Sequence, residues 1–244
     1  MVNYIFDGTF DGLMTVIYVS YYNRQIPNDI LSENSYQRNF FGDDVYISTD
    51  IDKSNKVQDA IKNKISQEAL KNIFYVYLSE LELSYMLIYK YVRLGFKIGK
   101  KIDNYLQNDI VHNVIKLSQR VNHESHKMIE LIRFKEIKKG LFYAKIHPDY
   151  NVLPLIVPHF AARFQNQYFV IHDVKRNLSA VYDKKSWIIT DISPEKTLIT
   201  KAEEDYENFW KIYYKNISID ERKNLRLQKQ YMPKKYWDIL IEKQ

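Results

Sequence analysis

The hydrophobic period of this chain changes twice along its length, and those changes constrain the fold more than any single motif. Over 104–133 the apolar residues Ile110, Val114, Leu117, Val121, Met128 and Ile132 fall on one face of a long helix. After that helix the pattern shortens to β-like runs at 133–137, 141–146, 168–173, 179–183 and 187–191. Turn residues at Lys139-Gly140 and over 183–185 separate two of the pairs, as in antiparallel hairpins, and a helix over about 155–164 interrupts them. The helical period then returns. Thr200 with Glu203 and Ser218 with Glu221 fit capping boxes, and Pro233 suits the first turn of a final helix. The expectation is an α+β fold, a mostly antiparallel sheet flanked by N- and C-terminal helices.

Before the long helix, residues 4–6 read as a short strand ended by the Asp7-Gly8 turn, and 10–23 as a helix. A loop containing Pro27 follows, then a strand over 43–49 and helices over 56–67 and 69–101 with a bend near 78–83. Gly95 and Gly99 have GxxxG spacing, but Lys90, Arg93, Lys97, Lys100 and Lys101 share that segment with no acid. It is too charged for a membrane helix, so the glycines are expected to permit close packing. No linker rich in Gly, Pro or Ser and no internal repeat interrupts the chain. It is read as one compact unit, 1–244, with halves 1–132 and 133–244 as the alternative division.

Among the 244 residues there is no cysteine, which excludes disulfides, thiolate metal sites and cysteine nucleophiles. No window reaches the roughly 18 apolar residues of a membrane span, and residues 1–10 lack a signal-peptide pattern. A cytoplasmic protein with no membrane partner is expected.

The net charge of +6 is uneven. Residues 1–60 hold four basic and nine acidic side chains, whereas 61–244 hold 32 and 21. A basic excess suits a polyanion, nucleic acid first and an anionic membrane second, or merely keeps the protein soluble. Lys outnumbers Arg 27 to 9, so positions that keep Arg point to use of its planar fork. Arg133, Arg163, Arg176, Arg222 and Arg226 are such positions.

Several constellations could carry chemistry. His112, Lys116, Gln119, His123, His126, Glu130 and Arg133 form one polar stripe on the long helix, which is either a functional face or a solvated one. His123 and His126 lack the HExxH spacing, and no Walker loop, GxGxxG, GxSxG or EF-hand pattern occurs, so no metal or cofactor is expected. His159 and Arg163 lie one turn apart after Pro158, and Asp173 and Arg176 end a strand, as catalytic groups or as an ion pair. Arg222, Lys223, Arg226, Lys229, Lys234 and Lys235 form an acid-free run flanked by Trp210, Tyr213, Tyr214, Tyr231, Tyr236 and Trp237. Such a mixture fits phosphates and unpaired or flipped bases, and fits equally an amphipathic helix with a buried aromatic face. Trp237, followed by Ile239 and Leu240, reads as a packing anchor.

Four segments together resemble a bacterial family of unknown function connected with DNA metabolism and DNA repair. They are Glu124-Ser125-His126-Lys127-Met128 with Arg133-Phe134, Pro158-His159-Phe160 with Arg163, Ile171-His172-Asp173 with Arg176, and a C-terminal set. That last set is Trp210, Tyr213-Tyr214, Arg222, Asn224, Gln228 and Met232-Pro233-Lys234-Lys235-Tyr236-Trp237. The opening residues 4–12 share the likeness, which therefore covers nearly the whole chain. In some bacteria a similar region is fused behind a uracil-DNA glycosylase domain, and elsewhere its gene neighbours a radical-SAM protein of DNA repair. Both associations imply nucleic acid rather than membrane, without a reaction. With the process implied by the resemblance, the charge and arginine pattern lead to a nucleic-acid-binding accessory that holds substrate for a separate repair enzyme, with Arg133, Arg163, Arg176, Arg222, Arg226, Lys234, Lys235 and Tyr236 expected on the nucleic acid. The alternatives are an enzyme on nucleic acid using His126, His159 or Asp173 as acid or base, and a structural or interaction protein.

Overall fold

In a computed structural model, residues 2–34, 36, 43–191 and 225–240 are described. The chain divides into two compact units, 1–122 and 123–244, each treated by itself below. The boundary falls inside the long helix, upstream of the change of period.

The first unit is built on a small parallel sheet. Strand β1 (Val2–Phe6) lies between β2 (Asp29–Ser32) and β3 (Asp43–Tyr46), with Tyr4 opposite Ile30 on one side and Val45 on the other. Parallel neighbours need a crossover. Helix α1 (Phe10–Tyr22) supplies the first, and Leu13, Met14, Val16 and Ile17 on it are buried. Strand β2 falls where the sequence reads as a loop. It has four residues, and of its two inward positions only Ile30 is apolar, the other being Ser32, so no alternating apolar run announces it.

Helices α2 (Ile51–Lys64), α3 (Gln67–Tyr77) and α4 (Ser84–Ile98) follow, then a 3-10 turn (Gly99–Asn104) and α5 (Asp109–Leu131). Thr9, Asp50 and Ser66 cap α1, α2 and α3, each accepting a hydrogen bond from a backbone N–H of the first turn. The bend expected near 78–83 is the break between α3 and α4. Gly95 lets α4 approach Ile65 and Ile102, as the spacing predicts, and Gly99 ends the helix at φ 63°.

The second unit carries the five-stranded sheet: β4 (Lys135–Lys138), β5 (Leu141–Ile146), β6 (Tyr168–Asp173), β7 (Leu178–Tyr182) and β8 (Trp187–Thr190), in that spatial order. Three of the four pairings are antiparallel, so the expected α+β fold with a mostly antiparallel sheet is the observed one. The exception is β5 with β6, parallel and joined by helix α6 (Leu153–Arg163). Ile156, Val157 and Phe160 of α6, Phe169 and Ile171 of β6, and Ala180 and Tyr182 of β7 are buried. Phe134 meets Phe160, Phe164 and Phe169 edge-on at 5.1 to 5.7 Å. Helix α7 (Leu225–Tyr231) and a 3-10 helix (Lys234–Ile239) capped by Pro233 complete the described residues. The capping boxes at Thr200 and Ser218 lie outside them. No helix among the described residues is long and apolar enough to cross a membrane.

The carboxyl end of β1 is fastened by Asp7, which accepts hydrogen bonds from the backbone and hydroxyl of Thr9 and from the Thr49 hydroxyl at 2.7 to 2.9 Å. Burial pushes the carboxyl up, but those bonds outweigh it and hold Asp7 below the usual carboxylate range. Gly12 sits against this cluster, and a Cβ there would collide with Asp7, Thr49 and Phe6. Gly12→Ala is therefore expected to cost about 1–3 kcal/mol in urea unfolding, the usual penalty of overpacking, although alanine favours helix.

Candidate nucleic-acid interface

Two segments of the second unit, the 148–150 loop and the last 3-10 helix, converge on one buried carboxylate of α5. Glu124, on α5 and 5% exposed, accepts hydrogen bonds from the backbone N–H groups of Asp149 (3.0 Å) and Tyr150 (2.8 Å). It also accepts from the Tyr236 hydroxyl at 2.7 Å and Lys235 Nζ at 2.9 Å. Lys235 bonds Asp149 as well. Burial alone would lower the Lys235 ammonium, but its bonds to Asp149, Tyr236 and Glu124 raise it well above the ordinary lysine value. Burial, then the neighbouring Glu124, pushes the Tyr236 phenol up.

The 148–150 loop is gripped from the sheet as well. Arg176 pairs with Asp173 at 2.9 Å and donates to the carbonyls of Pro148 (3.3 Å) and Asp149 (2.8 Å). Asp173 is fully buried and also receives the backbone N–H groups of Lys175 and Arg176. Three of the four segments that carry the family resemblance therefore meet at this loop, through Glu124, Arg176 with Asp173, and Lys235 with Tyr236.

That placement changes the expected roles. Lys235, its side chain 41% exposed, is matched by two carboxylates and Tyr236 is 3% exposed, and both hold the clamp. Arg133 folds onto the carbonyls of Glu130, Leu131 and Ile132 and caps the end of α5. Arg163 and His159 are exposed on α6, the arginine over the Phe164 ring at 5.9 Å and the histidine edge-on to Phe160 at 5.1 Å. Arg226 is exposed on α7, and Lys234 is exposed beside Trp237. Trp237 is half-buried and donates its indole N–H to Met232 at 2.8 Å, in keeping with an anchor. Arg222 lies outside the described residues. His126 is exposed on α5, and among the described residues no hydrogen bond or ion pair joins His126, His159 and Asp173 into one catalytic group. Nor do three or more His, Asp or Glu side chains group as a metal site there.

Sequence reading overlooked a second cluster. Tyr143 and Lys145 alternate along β5, with His147 next in that phase, and His172 pairs with Lys145 across the sheet. The Tyr143 hydroxyl lies 2.9 Å from His172 Nδ1, and Asp238 from the last 3-10 helix lies 2.9 Å from His147 Nε2. The signal was present as period-two alternation over 143–147. Burial lowers the His172 imidazole below its usual value, with Asn177 and Asp173 opposing.

At the opposite end of the sheet the charge is solvent-facing. Leu141 at the start of β5 pairs with Tyr168, Phe169 with Tyr182, and Tyr182 with Trp187, so the β4–β5 turn, the start of β6 and the β7–β8 turn share one edge. Lys138, Lys139, Lys184 and Lys185 on these turns are all exposed. Tyr168 (46% exposed) and Trp187 (37%) accompany them, with Lys184 Nζ 4.2 Å from the Tyr168 ring centre. The acids there are folded into the turns: Asp183 accepts the Lys185 and Ser186 N–H groups, which depress its carboxyl, and Glu136 accepts from the Gly140 N–H. The first unit holds 14 basic and 14 acidic residues and the second 22 and 16, so the whole of the +6 belongs to the second.

Residues 83–242 match the model of DUF4130, a domain of unknown function. The chain belongs to the DUF4130 family. No curated protein matches it. The DUF4130 match takes in Glu124, Asp149, Asp173, Arg176, Lys235 and Tyr236, the whole clamp, and leaves β1, β2 and β3 outside.

Without the Glu124 carboxylate the Asp149 and Tyr150 N–H groups and the Tyr236 hydroxyl lose their acceptor, which costs about 1–3 kcal/mol. Glu124→Ala should show a loss of that size in urea unfolding, while Lys234→Ala, one residue from the clamp and exposed, should leave the midpoint unmoved. For His172, the unfolded chain protonates near the ordinary value of 6.5 and the folded state only below it. Its contribution is complete above about pH 6.5 and is lost as pH falls through the depressed value. His172→Gln should flatten that part of the acid limb in unfolding curves measured between pH 5 and 7.

Proposed function

We propose that this chain is a nucleic-acid-binding accessory of DNA metabolism, holding its substrate for a separate repair enzyme, and that the lysine-rich end of the second unit's sheet is the contact surface. The observation that carries the reading is the grouping of four exposed lysines with exposed Tyr168 and Trp187 at one sheet edge. Lysines neutralise phosphates without reading sequence, and aromatic faces stack on unpaired bases of any identity. Arg163, Arg226 and Lys234, exposed on the same unit, extend the positive surface. The resemblance to a family connected with DNA repair supplies the process. A uracil-DNA glycosylase or a radical-SAM repair protein is the kind of enzyme such an accessory would serve. Binding is favoured over catalysis because Asp173 is paired with Arg176, and among the described residues no ion pair joins His126 or His159 to a carboxylate.

Anisotropy titration of labelled single- and double-stranded DNA between about 50 and 200 mM salt tests this. Affinity for the single strand should fall with a log–log slope of about −0.7 per phosphate neutralised. Changing Lys138, Lys139, Lys184 and Lys185 together to Gln should weaken binding and flatten that slope with the thermal midpoint unchanged. Trp187→Ala should cost about 1–3 kcal/mol of affinity for single strands, the value of one stacked base. No binding at 50 mM salt, or wild-type affinity in the quadruple variant, overturns the reading.

A further inference from the structure

The first unit contains a cleft of about 520 Å³ lined by Gly8, Ser32, Asn34, Tyr77, Glu80, Glu82 and Tyr85. Its position follows from the sheet. Gly8 comes just after β1, and Ser32 and Asn34 at the end of and just after β2, so the cleft opens at the carboxyl ends of parallel strands. In the order β2-β1-β3 the cleft lies on the β1–β2 side of this carboxyl end, with no residue of β3 in its lining among the described residues. The volume lies within the usual range of small-molecule sites, about 300–1,000 Å³.

The walls have two distinct chemistries. Tyr77 and Tyr85 stand 6.4 Å apart and are braced from behind, Tyr85 by Phe6 at 5.1 Å and Tyr77 by Phe10 at 5.2 Å. The Tyr77 hydroxyl donates to the Gly8 carbonyl at 2.8 Å, and the Tyr85 hydroxyl is hydrogen-bonded to Ser32. Both rings are thus fixed in place, as a stacking platform requires. The remaining groups are the Asn34 amide and the carboxylates of Glu80 and Glu82, with no lysine or arginine among the described residues of the lining. An acidic rim repels phosphate and accepts hydrogen bonds from amines. A carboxylate accepts from an exocyclic base amine, and an asparagine amide can both donate and accept on a base edge.

We infer that this cleft binds a planar heterocycle bearing amine donors, a nucleobase or nucleoside without its phosphate. The second unit's lysine edge has the opposite charge and takes no part, so the inference stands apart from the DNA-binding reading. Calorimetric titration of the full chain with adenosine, cytidine and guanosine, each beside its 5′-monophosphate, tests it. At least one nucleoside should bind, and its monophosphate should bind at least tenfold more weakly. Glu82→Gln should narrow that gap and Asn34→Ala should weaken the nucleoside, both residues being exposed and outside the core, while Trp187→Ala should change neither. Failure of every nucleoside to bind, a monophosphate that binds as well as its nucleoside, unchanged binding in both cleft variants, or loss of binding in Trp187→Ala would each overturn it.

Discussion

Removing a carboxylate from water costs several kcal/mol unless its oxygens are fully matched, and Glu124 meets that demand with four donors from two segments of the second unit. The requirement explains why lysine and tyrosine stand side by side at 235 and 236: one supplies compensating charge, the other a directed hydroxyl. It also explains why the 148–150 loop, which has no regular structure, is held at both of its backbone faces. Two N–H groups point to Glu124, and two carbonyls accept from Arg176. A loop held in this way fixes the distance between β5 and the start of α6, the crossover that makes β5 and β6 parallel.

The same constraint accounts for what the sequence hid. Strands β4 to β8 were legible because each is an alternating run bounded by Gly, Asp or Lys turns, and their bounds fall within two residues of the expected ones. Strand β2 was not, because four residues with Ser32 at an inward position carry no period. Among the site residues, the scarce arginines mark positions that need the planar fork. Arg133 and Arg176 do use the planar fork, but on carbonyls and a carboxylate of their own chain. A one-dimensional run of Lys234 and Lys235 gives no sign that the first faces solvent and the second faces Glu124. That difference depends on a contact 111 residues away in the chain.

Once the clamp has taken Lys235 and Tyr236, the basic character of the second unit must be carried by other groups. The turn lysines differ from the clamp lysine in cost. They are exposed, so their ammonium groups stay hydrated, and the four of them outnumber Asp183 and Glu136, whose carboxylates close the two turns. The fold is thereby indifferent to their charge. In the first unit the distribution is reversed, with an acidic, aromatic-walled cleft on a chain segment of zero net charge.

Backbone geometry separates Lys184 from its neighbours. It holds φ 77°, a left-handed conformation in which a side chain costs about 1–3 kcal/mol and which Gly or Asn would adopt with less strain. The equivalent position of the β4–β5 turn, at φ 78°, is Gly140. Asp183 already closes the β7–β8 turn through the N–H groups of Lys185 and Ser186, so the turn itself has no need of a lysine at 184. What the residue gains is the position of its ammonium 4.2 Å from the Tyr168 ring, a contact worth about 0.5–1 kcal/mol at an exposed site. That is at most the lower end of the strain. Lys184 therefore sets its ammonium over an exposed aromatic ring at a backbone cost that the ring contact does not recover.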